Sequence, residues 1–147
     1  MDQWINRAIE LARMAAAIKE FPVGALVVFN NQVIGEGMNQ KESLGDPTAH
    51  AEVMAIRDAC NQVGDWRLNG SILVTTLEPC PMCLGTILQS RVSEIVYLAK
   101  DIRWGACGSV MDFSNHHALN HRCQLTYLPN ETVVGLMKTF FKDQKKR

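Results

Sequence analysis

The chain has no apolar run long enough to cross a bilayer, which excludes a helical membrane protein. It has no net charge: 15 basic residues balance 15 acidic ones, which argues against a polycation that coats nucleic acid. Its cysteines, at 60, 80, 83, 107 and 123, are odd in number and do not space as a disulfide framework. That points to a reducing compartment. Met1 to Arg7 lack the basic stretch and apolar core of a secretory leader, so a cytoplasmic protein is expected. No repeat, low-complexity tract or linker interrupts the sequence, and residues 1–147 read as one domain. With 47% hydrophobic and 20% charged residues, the composition is that of a globular protein with a sizeable core.

The zero balance hides an asymmetry. Residues 138–147 carry Lys138, Lys142, Lys145, Lys146 and Arg147 against Asp143, a net of +4, which leaves −4 on the rest. Such an end can touch phosphates locally. Its ordinary reading is a solvated helix terminus whose cations suit the helix dipole.

Apolar residues at 4, 5, 8, 11, 12, 15 and 18 recur at helical spacing, so a helix is expected over residues 3–19. Gly24 to Phe29, the pair Asn30-Asn31 and the return Gln32 to Gly35 predict a hairpin. Asp46-Pro47-Thr48 reads as a helix start, and Gly64 as that helix's end. Strands are expected at 71–77, 94–99 and 123–128, with helices after Pro79 and from Glu131 to Lys145. Helices alternating with strands imply an α/β fold: a mixed five-stranded sheet covered on both faces.

Within this frame stand His50-Ala51-Glu52 and, later, Pro79-Cys80-Pro81-Met82-Cys83. One imidazole and two thiolates suit zinc, and three protein ligands leave a fourth tetrahedral position for water. Helix starts favour the thiolate forms of Cys80 and Cys83. Glu52 is not needed as a ligand and is placed to move a proton. A structural zinc staple would want a fourth Cys or His, and neither His116, His117 nor His121 stands at finger spacing. The pairing of HxE with PCxxC is the recognised signature of zinc nucleobase deaminases.

The chain resembles the cytidine deaminase-like superfamily and, within it, the bacterial tRNA-specific adenosine deaminases. The resemblance runs almost end to end. It rests on Phe21-Pro22-Val23-Gly24-Ala25, Asn39, Asp46 to Glu52 and Thr76 to Cys83. It continues through Gly105 to Asp112, Asn120-His121-Arg122 and Phe140-Phe141. The later segments are those that point to the tRNA branch. The resemblance implies a three-layer α/β/α fold and one Zn2+ per subunit on His50, Cys80 and Cys83, with Glu52 as the catalytic proton shuttle. It implies that Asn39 hydrogen-bonds the target base, that Val23 and Leu77 line its pocket, and that Asp101 lies near the ribose. Arg103, His116, Asn120 and Arg122 are implied contacts to phosphate, sugar or base, and Phe140 and Phe141 anchor the last helix.

The implied reaction is hydrolytic deamination of adenosine to inosine at the wobble position of a tRNA anticodon stem-loop, by a homodimer. Two other functions compete: deamination of guanine or another free base or nucleotide, and a non-catalytic RNA-binding role that keeps zinc for stability. Ile102-Arg103-Trp104 departs from the smaller, more polar stretch of relatives, and Cys107 stands where a non-sulfur residue is common.

Overall fold

The computed structural model describes residues 1–145 and no side chain beyond Gln144; Lys146, Arg147 and the Lys145 side chain of the basic end lie outside that description. The chain order is α1 (Asp2–Ala17), β1 (Gly24–Phe29), β2 (Gln32–Met38), α2 (Lys41–Leu44) and α3 (Ala51–Val63). It continues with β3 (Ile72–Thr75), α4 (Pro81–Gln89), β4 (Glu94–Tyr97), β5 (Gln124–Tyr127) and α5 (Glu131–Lys145). The strands form one sheet in the order β2-β1-β3-β4-β5. β1 is antiparallel to both β2 and β3, whereas β3, β4 and β5 run parallel, so the sheet is mixed as expected.

Alternation along the strands builds two cores. Ala25, Val27, Leu73 and Ile95 face α3 and α4, packing with Ala55, Ile56, Leu84 and Ile87. Leu26, Val28, Val74 and Val96 face the other way, against Trp4, Ala8 and Leu11 of α1 and Val133 of α5. The result is the three-layer α/β/α arrangement expected from the sequence.

Two differences from expectation have local causes. The helix does not start at Asp46-Pro47-Thr48. The Asp46 Oδ1 instead accepts the Thr48 backbone N–H (2.8 Å) and hydroxyl (2.7 Å), closing a turn, and α3 begins at Ala51 with His50 as its N-cap. The second hairpin strand runs on to Met38, paired with β1 as far as Gly24, after a turn in which Asn30 and Asn31 are both left-handed (φ 51° and 61°). At Gly37 a Cβ would collide with the Ala51 carbonyl and Ala55 nitrogen. Its absence lets α3 lie directly on the hairpin, which brings the start of α3 to the sheet.

Candidate metal and base-binding site

The two halves of the metal motif meet at the first turns of α3 and α4. His50 is the N-cap of α3, Cys80 the N-cap of α4, and Pro81 takes the first helical position, where no N–H is needed. Cys83 lies one turn on, fully buried. The Cys80 and Cys83 sulfurs are 3.4 Å apart, and His50 Nδ1 lies 3.6 and 3.4 Å from them. Zinc with bonds of about 2.3 Å to sulfur and about 2.0 Å to nitrogen at tetrahedral angles needs separations of roughly 3.5–3.8 Å. The three donors therefore fit the ion closely. Among the described residues, no fourth His, Cys, Asp or Glu atom joins this group within 4.8 Å. His121 is turned away, with Nε2 2.8 Å from the Val92 carbonyl oxygen.

The site's electrostatics follow from sharing protons in a buried space. The Cys80 thiol is held down to about 4, first by the hydrogen bond from Cys83 and also by His50. Cys83 is pushed up by the same exchange and by burial. The hydrogen bond to Cys80 raises the His50 pKa. Cys83 thus keeps a proton that metal binding must expel. Burial pushes the Glu52 carboxyl up to about 7.

His50, Glu52 and Cys80 floor a cavity of ≈ 750 Å³, while Cys83 is fully buried. Val23, Asn39, Leu77, Asp101 and Arg103 all line it, whereas His116, Asn120 and Arg122 do not. Asn120 opens instead on a separate cavity beside Leu88 and Phe113. Asn39 Oδ1 accepts the Ala51 N–H at 2.9 Å, satisfying one donor of the α3 terminus from outside the helix. Asp101 Oδ1 accepts the Arg103 and Trp104 N–H groups at 3.0 and 3.1 Å, which closes the turn that carries them. Phe21 holds α5 over the cavity, with its ring 5.6 Å from that of Phe140 and 5.3 Å from that of Phe141. Both C-terminal aromatics line the pocket while anchoring the helix.

Sequence reasoning assigned no role to Glu20, Lys41 or Glu78, which also line the cavity. Glu20 and Glu78 are nearly inaccessible, 2% and 1% exposed. Glu78 stood immediately before the metal motif, but nothing local marks an acid as buried. Cys107 is buried, its N–H donates to Glu78, and its carbonyl accepts the Tyr97 hydroxyl.

Residues 1–99 match the model of the cytidine and deoxycytidylate deaminase zinc-binding region. The tRNA-specific adenosine deaminase of Haemophilus influenzae is 40% identical, over 99% of this chain and 84% of that protein. A solved structure from a study of A-to-I editing by tRNA:A34 deaminases superposes with a TM-score of 0.89 at 33% identity. It covers 92% of this chain and 99% of that one. Guanine deaminase from Bacillus subtilis superposes less well, with a TM-score of 0.66 at 32% identity, over 96% of this chain and 93% of that one. The chain belongs to the zinc-binding cytidine and deoxycytidylate deaminase family, in its branch of tRNA-specific adenosine deaminases.

Proposed function

We propose that this chain hydrolyses adenosine to inosine, releasing ammonia, at the wobble position of a tRNA anticodon loop. The observation that carries the chemistry is a three-donor zinc set beside a buried carboxylate on the floor of one cavity. The RNA substrate is supported by near full-length likeness to a tRNA-specific adenosine deaminase.

Bound zinc supplies a Lewis acid and a water whose pKa falls to about 7. Glu52 takes one proton from the attacking water and passes it to the adjacent ring nitrogen; it then takes the second from the hydroxyl now on the ring carbon and gives it to the amine, which leaves as ammonia while the carbonyl forms. A group that must accept and then donate works best with a pKa near the working pH, and burial moves the Glu52 carboxyl up in that direction. Asn39 has its carbonyl oxygen committed to Ala51, which leaves its NH2 to donate to the base. Val23 and Leu77 pack against the purine. Asp101 has Oδ1 committed to its own turn, so Oδ2 is the oxygen that accepts from a ribose 2′-OH. Arg103 meets phosphate, and Trp104, 67% exposed at the rim, stacks on a neighbouring splayed base. Asn120 lines a separate cavity, so an RNA contact from it would fall outside this base pocket.

A homodimer belongs to this reading. Ile102, Val110 and Met111 leave apolar area exposed on the loop before β5, and a second copy would cover it. No helix is long and apolar enough to cross a membrane, and a cytoplasmic setting matches five free cysteines.

Deamination of guanine or another free base is the second reading, favoured by the likeness to guanine deaminase. A non-catalytic RNA-binding subunit is disfavoured because Glu52 is in place. Zinc-loaded protein is to be assayed on a tRNA-Arg anticodon stem-loop, guanine and cytidine. Inosine in the RNA alone supports the proposal; guanine turnover with inert RNA overturns it. Bound zinc with no turnover of any substrate supports the third reading.

A further inference from the structure

Glu78 is a buried carboxylate that the reaction above does not use. It sits two residues before Cys80, and four donors converge on it. Its Oε1 accepts the Asp101 N–H at 3.1 Å and the Ser109 hydroxyl. Its Oε2 accepts the Cys107 and Ser109 N–H groups at 2.9 and 3.1 Å. Among the described residues, no lysine or arginine forms an ion pair with it. The carboxylate therefore serves to gather backbone donors rather than to balance a charge. A second tie runs alongside, from the Ala106 N–H to the Pro79 carbonyl at 2.8 Å. At Gly105 a Cβ would strike this carboxylate and the Asp101 carbonyl, so the loop folds around Glu78 with no space to spare.

We propose that Glu78 is a positioning residue that ties the outer wall of the pocket to the strand-to-helix turn carrying Cys80. Through the Asp101 N–H it fixes the start of the turn that presents Arg103 and Trp104, and so governs RNA binding rather than the chemical step. The inference rests on the RNA-deaminating reading. The physical ground is that all four partners donate, and only a carboxylate accepts on both oxygens. A glutamine of the same size must aim an NH2 at one pair. The Ser109 hydroxyl can accept as well as donate, so the NH2 turns to the Oε1 side. The Asp101 N–H then loses its acceptor, while the Cys107 and Ser109 amides keep theirs.

The test compares zinc-loaded, full-length wild type with Glu78→Gln and Ser109→Ala. It reads bound zinc, hydrogen exchange at the Asp101, Cys107 and Ser109 amides, and kinetics on the anticodon stem-loop. Glu78→Gln is expected to keep its zinc and to exchange the Asp101 amide about tenfold faster, leaving the other two protected. KM for the stem-loop is expected to rise about tenfold with kcat within about threefold. Ser109→Ala removes one donor and raises KM about twofold. Unchanged Asp101 exchange, or a fall in kcat with KM constant, overturns the proposal. Should Glu78→Gln fail to fold, Ser109→Ala decides alone: unchanged KM and exchange overturn it. If wild type makes no inosine, the functional reading falls, and the exchange pattern still decides the role of Glu78.

Discussion

At the floor of the pocket, His50, Glu52 and Cys80, with the buried Cys83, stand at the starts of α3 and α4, whose inner faces pack on the sheet. At the rim, Arg103 and Trp104 stand on a loop, and Lys41 on a helix of four residues. The floor is positioned by apolar burial, which is cooperative and dense. The rim is positioned by two buried carboxylates. Glu78 gathers the loop before β5, and Glu20 accepts the Glu42 and Ser43 N–H groups (3.1 and 2.7 Å) and the Ser43 hydroxyl (2.8 Å). The difference separates roles: damage to the floor should remove metal or chemistry, whereas damage to the rim should weaken substrate binding.

That separation can be broken most sharply at the metal. His50→Ala is expected to lose bound zinc and about a thousandfold or more in turnover, the rate equivalent of ~4 kcal/mol. Zinc retained at wild-type stoichiometry would refute the ligand assignment. Glu52→Ala is expected to keep its zinc and lose about 10²–10⁴ in kcat. Loss of metal along with activity would make Glu52 part of the metal's support instead. Trp104→Ala, at the rim, is expected to raise KM for the stem-loop about tenfold, within the ~1–3 kcal/mol of one stacked base. Its thermal stability should be unchanged; a fall in kcat alone would merge rim with floor.

The smallest expected effect is on stability. Burial works against the Glu20 carboxylate, but the Ser43 and Glu42 hydrogen bonds outweigh it and hold its pKa below the ordinary 4.5. A lowered folded pKa means that stability is supplied above 4.5 and lost as pH falls through the lower folded value. Glu20→Gln should therefore cost about 1 kcal/mol at pH 7, and the two proteins should converge in strong acid. Urea titrations at both pH values test this, and a gap that persists in acid contradicts it.

Legibility in the sequence followed the same division. The candidate metal triad was readable because ligand chemistry demands particular residue types at particular spacings, and Glu52 was flagged by its place two residues from His50. The sheet was readable because apolar residues run in short β-rich stretches between helices. The start of α3 was misplaced because Asp46-Pro47-Thr48 closes a turn as readily as it opens a helix; the side-chain bonds to Thr48 decided the matter. α2 escaped notice because four residues carry no periodicity, and its N–H groups are held by a carboxylate about 20 residues upstream. Asn120 was grouped with the substrate contacts by resemblance, yet it opens on another cavity.

The sequence by itself determined the donor set, the α/β layering and the family, since each depends on residue identity and short-range spacing. Only the tertiary structure decided that the three donors meet at zinc-compatible distances, that Asn39 spends its oxygen on α3, and that Glu20 and Glu78 are buried. The reason is distance along the chain. Asn39 and Ala51 are 12 residues apart, and Glu78 and Ser109 are 31 apart. Such pairs come together only when the helices close on the sheet, and no local pattern records where a closed fold will bring a lone carboxylate.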